Sequence, residues 1–452
     1  MEWILMLALF APEILLAVMS MKKGGDKKLW LRDRLFIRAG QTGIFLGALV
    51  LPGIDLGFRF AVCFAVLLLR LAVALIGYFR RGKASGQKKK AALIMAALLG
   101  ILIIGFSLVP AFLFSDYQGL ETTGPYGVKH ASAILIDESR TDPFENDGSF
   151  REVPVYFYYP DGDTAPADAY PLVVFSHGAF GFYESNYSTY AQLASHGYVV
   201  VSMDHPHHSF FTQDTQGNSI IVDMGFMNDV MRCSNEPVDE EEKYHITKEW
   251  FDLRTGDMNF VVDTLKSTKS AQSFSGAWFV SSEDTQKEIL GILAAMDTEK
   301  IGLMGHSIGG ASSVTLGRTR TDIDAVANLD GTLLGEHLGF ENGEYILYTD
   351  AYPIPILAIN SEPHHQDISA QGERYVNAAV MAGALYPHYT YFAGSGHMNY
   401  TDLPLLSPAL ASMLGTGSVD AQTCVETMNA ILLQYFDHYL KGKGDLNILP
   451  CY

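Results

Sequence analysis

The chain has 452 residues and a net charge of −19 at neutral pH, and 48% of its residues are hydrophobic. This length is enough for a large folded core together with a second structural region. The charge is uneven, because residues 1–115 hold 15 lysines and arginines against 5 acidic residues, whereas residues 116–452 hold 16 against 45. The acidic second part argues against nucleic-acid binding, because phosphate contacts require a basic face.

Residues 1–115 contain four apolar stretches, each close to the roughly 20 residues that cross a bilayer as a helix. We therefore predict an N-terminal bundle of about four transmembrane helices. The first stretch lacks the basic start and the cleavage site of a signal peptide. The second is the weakest, because Arg38 and Gln41 lie near its start and Pro52 near its end. The stretches are Trp3–Ser20, about Leu35–Ile54, about Leu56–Phe79 and Ala91–Phe114.

Two clusters of lysine and arginine flank these stretches, one within residues 22–34 and one within residues 80–90. The positive-inside rule predicts that both lie in the cytoplasm. Two crossings between the clusters satisfy that rule, whereas one crossing would put them on opposite sides. Four spans leave the acidic part outside, so we expect a multi-pass protein of the cell membrane with an extracellular domain.

Two charged residues, Glu13 and Arg70, fall inside the predicted spans. A charge inside a membrane is by default a hypothesis for a functional site. The alternative, which we favour, is a pair that helps the spans to pack.

After a predicted linker at 116–131, residues 132–452 alternate apolar, β-rich runs with helical patterns. Such alternation predicts an α/β domain with a mostly parallel sheet covered by helices on both faces. In sheets of this kind, sites form beyond the carboxyl ends of the strands. The predicted strands are Ser132–Ile136, Val153–Tyr159, Leu172–Ser176, Tyr198–Met203, Lys300–Met304, Ala325–Leu329, Ile354–Ile359 and Tyr389–Phe392.

The pentapeptide Gly305-His306-Ser307-Ile308-Gly309 follows one of these strands and precedes a helix-like stretch. A strand, a tight turn that carries serine and then a helix is the context of a nucleophilic serine. The turn His177-Gly178-Ala179 follows an earlier strand and can aim a backbone N–H group at a developing oxyanion. We assign the oxyanion donors to Ala179 and Ile308, with Phe180 as the neighbouring alternative.

Two further candidates, Asp330 and His397, also come directly after predicted strands. The order serine, acid, histidine is that of α/β-hydrolases. His397 would remove the Ser307 proton, and the carboxylate would hold the imidazole in the correct tautomer. Glu362 ends another strand, so on the residues alone it stays open as the alternative acid.

The remaining histidines do not have the spacing of a metal site. His205, His207 and His208 lie almost side by side, as do His364 and His365, whereas helical ligand pairs are four residues apart. We therefore predict no metal site and no cofactor. No zinc spacing joins the four cysteines, and we favour free thiols over one disulfide, for which the candidate pair is Cys424 and Cys451.

An insertion at about 206–251 lengthens the connection after the strand Tyr198–Met203. It is rich in aromatic residues and methionine. This composition is equally consistent with a lid or substrate wall and with ordinary packing of an insertion. Beyond it, Arg254 and Asp257 fall on one predicted helix at a spacing that makes them neighbours.

A set of motifs runs along the second part of the chain: Arg151-Glu152-Val153-Pro154-Val155, Ser176-His177-Gly178, Gly305-His306-Ser307-Ile308-Gly309-Gly310, Leu329-Asp330, Asn360-Ser361-Glu362 and Gly394-Ser395-Gly396-His397. With these motifs the chain resembles the plasma-type platelet-activating-factor acetylhydrolase family, which includes lipoprotein-associated phospholipases and bacterial relatives. The resemblance covers about residues 123–440. It implies an α/β-hydrolase fold that needs no metal and hydrolyses short or oxidised acyl esters of phospholipids. It also implies Asp330 rather than Glu362 as the acid, with oxyanion donors at Ala179 and Ile308.

From these features we expect a membrane-anchored serine ester hydrolase that acts on short-acyl or phospholipid-like esters. The multispan region is absent from the plasma enzymes, and the sequence Ala179-Phe180 departs from the family, which bears on the substrate. Two alternatives are an acyltransferase that uses the same triad and a catalytically idle, hydrolase-like binding module on a membrane anchor.

Overall fold

In a computed structural model the chain forms two compact units. Unit 1 comprises Met1–Gln118 with Leu405–Leu410, and unit 2 comprises Gly119–Pro404 with Ala411–Tyr452. The structure describes residues 2–51, 53–117, 119–162, 166–269, 273–274 and 276–452.

Long helices dominate unit 1. Among the described residues, three segments are long and apolar enough to cross a membrane, Glu2–Lys22, Phe58–Lys83 and Lys90–Ser107. They correspond to the first, third and fourth predicted spans. The helices are α1 (Glu2–Lys22), α2 (Lys27–Ala48), α3 (Phe58–Phe79), α4 (Lys90–Ser107) and α5 (Val109–Leu113), and a 3₁₀ turn at Arg80–Lys83 follows α3.

Helix α2 covers most of the second predicted span but differs from it in its bounds. It begins at Lys27 rather than near Leu35, because the Asp26 side chain accepts the Leu29 N–H at 2.8 Å and caps the helix there. Its first turns therefore carry basic residues, which lower its mean hydropathy. Pro52, at the end of the predicted span, lies outside the described residues.

The two basic clusters lie at the same end of unit 1. The segment after α1 and the segment before α4 are joined by backbone hydrogen bonds, from Lys88 N–H to the Gly25 carbonyl at 2.8 Å and from Lys27 N–H to the Gly86 carbonyl at 3.2 Å. Helix α2 starts at this end, and the 3₁₀ turn after α3 returns to it.

At the opposite end of unit 1, an arginine of α3 connects α1 with the segment that follows α5. Arg59, in the first turn of α3, is paired with Glu2 of α1 at 2.7 Å and donates to the Phe114 carbonyl at 3.0 Å. Helices α2 and α3 therefore run the length of the unit in opposite directions.

A buried polar cluster connects α1, α2, α3 and α4. The Glu13 carboxylate of α1 accepts hydrogen bonds from Arg38 and Gln41 of α2 and from Arg70 of α3, the last at 2.8 Å. Arg70 also donates to the Gly100 carbonyl of α4 at 3.3 Å. A Cβ atom on Gly100 would lie only 2.3 Å from the carboxylate. Glu13 and Arg70 thus form the packing pair that we favoured.

From residue 119 onward, strands and helices alternate. The strands are β1 (Gly127–Thr141), β2 (Phe150–Asp161), β3 (Tyr170–Ser176), β4 (Val199–Met203), β5 (Phe211–Gln213), β6 (Ser219–Ile221), β7 (Trp278–Phe279), β8 (Met296–His306), β9 (Ala325–Leu329), β10 (His337–Glu341), β11 (Glu344–Leu347), β12 (Ile356–Ser361) and β13 (Pro387–Phe392). The helices are α6 (Tyr187–Ser195), α7 (Met224–Asn235), α8 (Glu240–Thr268), α9 (Glu283–Ala295), α10 (Ile308–Thr319), α11 (Glu362–Gln371), α12 (Val376–Ala382), α13 (Leu403–Leu406), α14 (Pro408–Met413) and α15 (Ala421–Lys441), with 3₁₀ turns at Leu334–Glu336, Gly372–Arg374 and His397–Tyr400.

The main sheet has the order β13-β12-β9-β8-β3-β4-β2-β1-β7 within the described residues. Its neighbours are parallel from β13 to β4, and β2, β1 and β7 add an antiparallel edge. The mostly parallel sheet is therefore confirmed, and each of the eight predicted strands overlaps a strand of this sheet. Strand β1 begins at Gly127 rather than Ser132, because its ladder with β2 extends to the Gly127–Asp161 pair.

Helices cover both faces of the sheet, as predicted. On one face Phe175 of β3 packs against Tyr190 of α6, and Gly302 of β8 leaves room for Phe436 of α15. The alternate strand residues form a core on the other face with buried side chains of α8, α9 and α10. Because β3, β8, β9, β12 and β13 are parallel, their carboxyl ends lie along the same end of the sheet.

We expect Glu13→Gln to lower the thermal unfolding midpoint of the detergent-solubilised protein. The change leaves the buried guanidinium groups of Arg38 and Arg70 without a carboxylate, and breaking a buried ion pair costs about 3–5 kcal/mol. The matched control is Glu2→Gln at the end of the bundle, where the pair with Arg59 is more exposed and a smaller shift is expected. Equal midpoints for Glu13→Gln and the unchanged protein would contradict this role.

Candidate active site

Ser307 occupies a sharp turn between β8 and α10. Its backbone has φ +55° and ψ −127°, a combination that costs a residue other than glycine about 1–3 kcal/mol. The turn is anchored to the neighbouring strand β9, because the Ser307 N–H donates to the Leu329 carbonyl at 2.8 Å. This conformation is that of the strand–turn–helix motif.

The glycines around Ser307 allow the turn to approach β3 and β9 closely. A Cβ atom on Gly309 would lie 2.0 Å from the Ser176 carbonyl oxygen, and one on Gly305 would lie 2.4 Å from the same atom. A Cβ on Gly310 would lie 2.3 Å from the Asn328 side chain. No side chain fits at these distances, so glycine is required at all three positions.

The loop after β3 lies beside Ser307. A Cβ atom on Gly178 would be 3.3 Å from the Ser307 Cβ. In the described part of the chain the Ala179 N–H has no protein acceptor, whereas the Phe180 N–H donates to the His208 carbonyl at 3.2 Å. Ile308 begins α10, and N–H groups in the first turn of a helix have no acceptor within the helix.

Asp330 and His397 come together across the sheet edge. His397 Nδ1 lies 2.7 Å from Asp330 Oδ2, and the His397 side chain is 41% exposed. Asp330 Oδ1 accepts the Ser361 N–H at 2.6 Å and lies 3.0 Å from His364 Nδ1. Desolvation acts to raise the pKa of Asp330, but the hydrogen bonds from His364 and His397 outweigh it and hold the pKa well below its usual range.

His306 links the Ser307 turn to the loop that carries His397. Its ring centroid lies 4.6 Å from that of His397, and its Nε2 lies 3.0 Å from the His397 carbonyl oxygen. Burial lowers the pKa of His306 to about 3, so the imidazole is neutral and donates to that carbonyl. The residue before Ser307 therefore fixes the backbone of His397.

Glu362, the alternative acid, has a different partner. Its Oε2 accepts the Gly394 N–H at 2.7 Å, in the loop that leads to His397. Within the described residues no hydrogen bond joins Glu362 to the His397 ring.

Two buried histidines, His177 after β3 and His205 after β4, are bound by protein groups. His205 lies 2.9 Å from both Asp257 and Ser176 Oγ, and His177 Nε2 lies 2.7 Å from Ser209 Oγ. Burial lowers the pKa of His205 to about 3 and the pKa of His177 well below its usual value. Among the described residues no group of His, Cys, Asp or Glu side chains has the arrangement of a metal site, and all four cysteines are free thiols.

The insertion after β4 forms the hairpin β5–β6, helix α7 and the first part of α8. Phe226 of α7 is buried, stacks on His208 with centroids 3.7 Å apart and touches Phe180. Beside it lies a cavity of about 760 Å³ that Trp250 and Arg140 also line. Part of the insertion is therefore ordinary packing, whereas Phe210 and Met224 are exposed.

The sequence did not identify three residues that make contacts in the site. His364 appeared only as a rejected metal candidate, His306 only as a variable position of the serine motif, and Arg254 only as a helix neighbour of Asp257. Arg254 instead donates to the His177 carbonyl at 2.6 Å, and Asp257 is paired with Arg151 and Arg140. No local pattern signals contacts between residues so far apart in the chain.

The family described as platelet-activating factor acetylhydrolase, isoform II, matches residues 157–448. The chain belongs to this family. Relatives named platelet-activating factor acetylhydrolase come from Gallus gallus, 22% identical over 299 residues, and from Canis lupus familiaris, 21% identical over 283 residues, each over 62% of this chain. These matches span 65% and 59% of the two relatives, less than two thirds of their length.

A solved structure, a ferulic acid esterase from Streptomyces cinnamoneus, has a similar fold. It aligns with a TM-score of 0.54 over 73% of this chain and 95% of its own, at 19% identity. At this identity the similarity concerns the fold, which is the α/β-hydrolase fold with a mostly parallel sheet.

We expect Gly309→Ala to destabilise the protein by at least about 2 kcal/mol, since the added methyl group would overlap the Ser176 carbonyl. The measurement is the thermal unfolding midpoint. The control is Gly291→Ala in α9, where a Cβ meets nothing within 4 Å and alanine stabilises a helix by up to about 1 kcal/mol. Similar midpoints for the two variants would show that the turn accommodates a side chain at Gly309.

Proposed function

We propose that this protein is a membrane-anchored serine carboxylic-ester hydrolase in which Ser307, His397 and Asp330 form a catalytic triad. The observation that carries the proposal is the 2.7 Å contact between Asp330 and His397, in the loop that His306 ties to the Ser307 turn. Membership of the acetylhydrolase family supports the same reaction class.

In this mechanism Ser307 Oγ attacks the ester carbonyl carbon while His397 Nε2 accepts the hydroxyl proton. Asp330 holds His397 Nδ1–H and stabilises the imidazolium that forms. His397 then protonates the leaving alcohol, which departs and leaves an acyl-enzyme on Ser307. Water, deprotonated by His397, attacks the acyl carbon and releases the acid.

The oxyanion of each tetrahedral intermediate is assigned to the N–H groups of Ala179 and Ile308. Two features support this choice. The Ala179 N–H has no acceptor among the described residues, and its loop lies against Ser307. The Phe180 N–H, the alternative donor, is already bonded to the His208 carbonyl. Removing one such donor typically lowers kcat by about 10²–10³-fold.

The proposed substrates are short-acyl esters, including phospholipid-like esters with a short acyl chain. The names of the relatives support a small acyl group. A chain held by membrane spans also keeps its second unit near a bilayer, where amphiphilic esters are concentrated.

Ser307→Ala should abolish both labelling by a fluorophosphonate probe and hydrolysis of p-nitrophenyl acetate and butyrate by the membrane-extracted protein. A second outcome would favour an acyltransferase. In that case the protein is labelled by the probe and hydrolyses no ester, but it transfers the acyl group to an added alcohol or amine. If the unchanged protein neither labels nor turns over, the binding-module alternative replaces this proposal.

The same assay identifies the acid. Asp330→Asn should lower kcat by about 10⁴-fold, because the amide holds the wrong histidine tautomer. Glu362→Gln is the matched control, since its amide oxygen can still accept the Gly394 N–H. A larger loss in Glu362→Gln than in Asp330→Asn would reverse the assignment.

The proposed topology has four spans, with α2 as the second. Three observations support α2: it runs the length of unit 1, it packs on α1 and α3, and its Arg38 and Gln41 face Glu13 rather than lipid. Because both basic clusters lie at one end of the unit, placing that end in the cytoplasm puts the N-terminus and the catalytic unit outside.

A membrane-impermeant maleimide should label the protein on intact cells as strongly as after permeabilisation. The reactive thiols are the partly exposed Cys233 and Cys451, because Cys63 and Cys424 are buried. The variant with Cys233→Ser and Cys451→Ser controls for labelling elsewhere. Labelling that requires permeabilisation would place the catalytic unit in the cytoplasm.

A further inference from the structure

We propose that Arg254 is a positioning residue that aims the Ala179 N–H into the oxyanion site and adds a fixed positive charge behind it. This inference rests on the proposed ester hydrolase. Arg254 lies on α8, far along the chain from the loop after β3, and its side chain is fully buried.

The hydrogen bonds of Arg254 are directed at the oxyanion loop. Nη1 donates to the His177 carbonyl at 2.6 Å, and Nη2 lies 3.4 Å from the Gly178 carbonyl. Nη1 also lies 3.4 Å from Ser176 Oγ, and Nε lies 3.3 Å from His208 Nδ1. One planar guanidinium thus contacts two consecutive carbonyls, a geometry that the single ammonium group of lysine does not reproduce.

The Gly178 carbonyl matters because it shares a peptide plane with the Ala179 N–H. In a trans peptide these two groups point in opposite directions. Two further groups hold the same carbonyl, His177 Nδ1 at 2.6 Å and the Gly181 N–H at 3.1 Å. Because these groups fix the Gly178 carbonyl oxygen, the Ala179 N–H points away from Arg254. Its direction is therefore set before substrate binds.

The charge of Arg254 has no ion-pair partner within 4.0 Å among the described residues. The nearby carboxylate of Asp257 is instead paired with Arg151 and Arg140. Burial lowers the pKa of Arg254 to about 9, which leaves the group protonated at neutral pH. A fixed positive charge in a dry site favours the negative charge that develops on the substrate oxygen.

Arg151 provides a matched comparison inside the same buried network. It is also fully buried, but it donates to Asp142, Asp257 and the Pro206 carbonyl. Within the described residues its side chain makes no hydrogen bond to the loop His177–Ala179. Replacing either arginine is expected to lower the stability of the protein. Only the replacement of Arg254 is expected to misalign the N–H donors of the oxyanion site.

The experiment compares the detergent-solubilised full chain with Arg254→Lys, Arg254→Gln and Arg151→Lys. Each protein is assayed on p-nitrophenyl acetate and on its thiono analogue, in which sulfur replaces the carbonyl oxygen. Sulfur is larger and accepts hydrogen bonds weakly, so the oxo-to-thiono ratio of kcat/KM reports how well the N–H donors are aligned. Thermal unfolding midpoints are measured on the same samples.

We expect both Arg254 variants to lower kcat on the acetate about tenfold or more, with KM within about twofold and a smaller oxo-to-thiono ratio. Arg151→Lys should keep the ratio of the unchanged protein, whatever its midpoint. A ratio that is unchanged in the Arg254 variants overturns the inference even if kcat falls. Failure of both variants to fold assigns Arg254 a structural role and also overturns it.

The failure of the proposed function is a separate result. If the unchanged protein hydrolyses neither ester, the ester-hydrolase proposal falls, and the role of Arg254 falls with it. If the unchanged protein is active, the comparison between Arg254 and Arg151 tests this inference alone.

Discussion

The close approach of the Ser307 turn to the ends of β3 and β9 is the constraint on which the whole site depends. Gly309 lies against the Ser176 carbonyl, and the Ser307 N–H is bonded to the Leu329 carbonyl. Strand β8 lies between β3 and β9 in the sheet, so one turn contacts both of its neighbours. The loops that follow those two strands, with Gly178 and Asp330, are brought to the serine by the same packing.

Behind the carboxyl ends of these strands lies a layer of buried polar groups that includes two neutral histidines. Burial lowers the pKa of His205 and of His306 to about 3, so both imidazoles act as fixed hydrogen-bonding groups. His397 differs from them in exposure, because 41% of its side chain is open to solvent. Burial therefore separates the histidines that support the loops from the one that reaches the surface.

Unit 1 likewise satisfies its buried polar groups through contacts between its own helices. Glu13 is useful to the bundle only because groups from α2 and α3 satisfy both of its oxygens. Gly100 lets the fourth helix approach that carboxylate without a side chain between them. The cost of leaving any of these charges unpaired in an apolar environment ties the helices to one another.

Much of the fold was predictable from local patterns. Apolar runs of strand length, glycines at a strand–helix turn and polar residues directly after strands are features of neighbouring residues, so the eight strands and the positions of Ser307, Asp330 and His397 followed from the sequence. The bounds of β1 and α2 differed from the prediction because a pairing partner and a capping side chain decide where an element ends.

The sequence by itself determined which residues follow strands, since that depends on spacing along the chain. Only the tertiary structure decided which partners meet. Arg254 reaches a loop 77 residues away at His177, and Arg38 reaches Glu13 across 25 residues. Such contacts depend on strand order and helix packing, which bring together side chains whose separation in sequence carries no local signal.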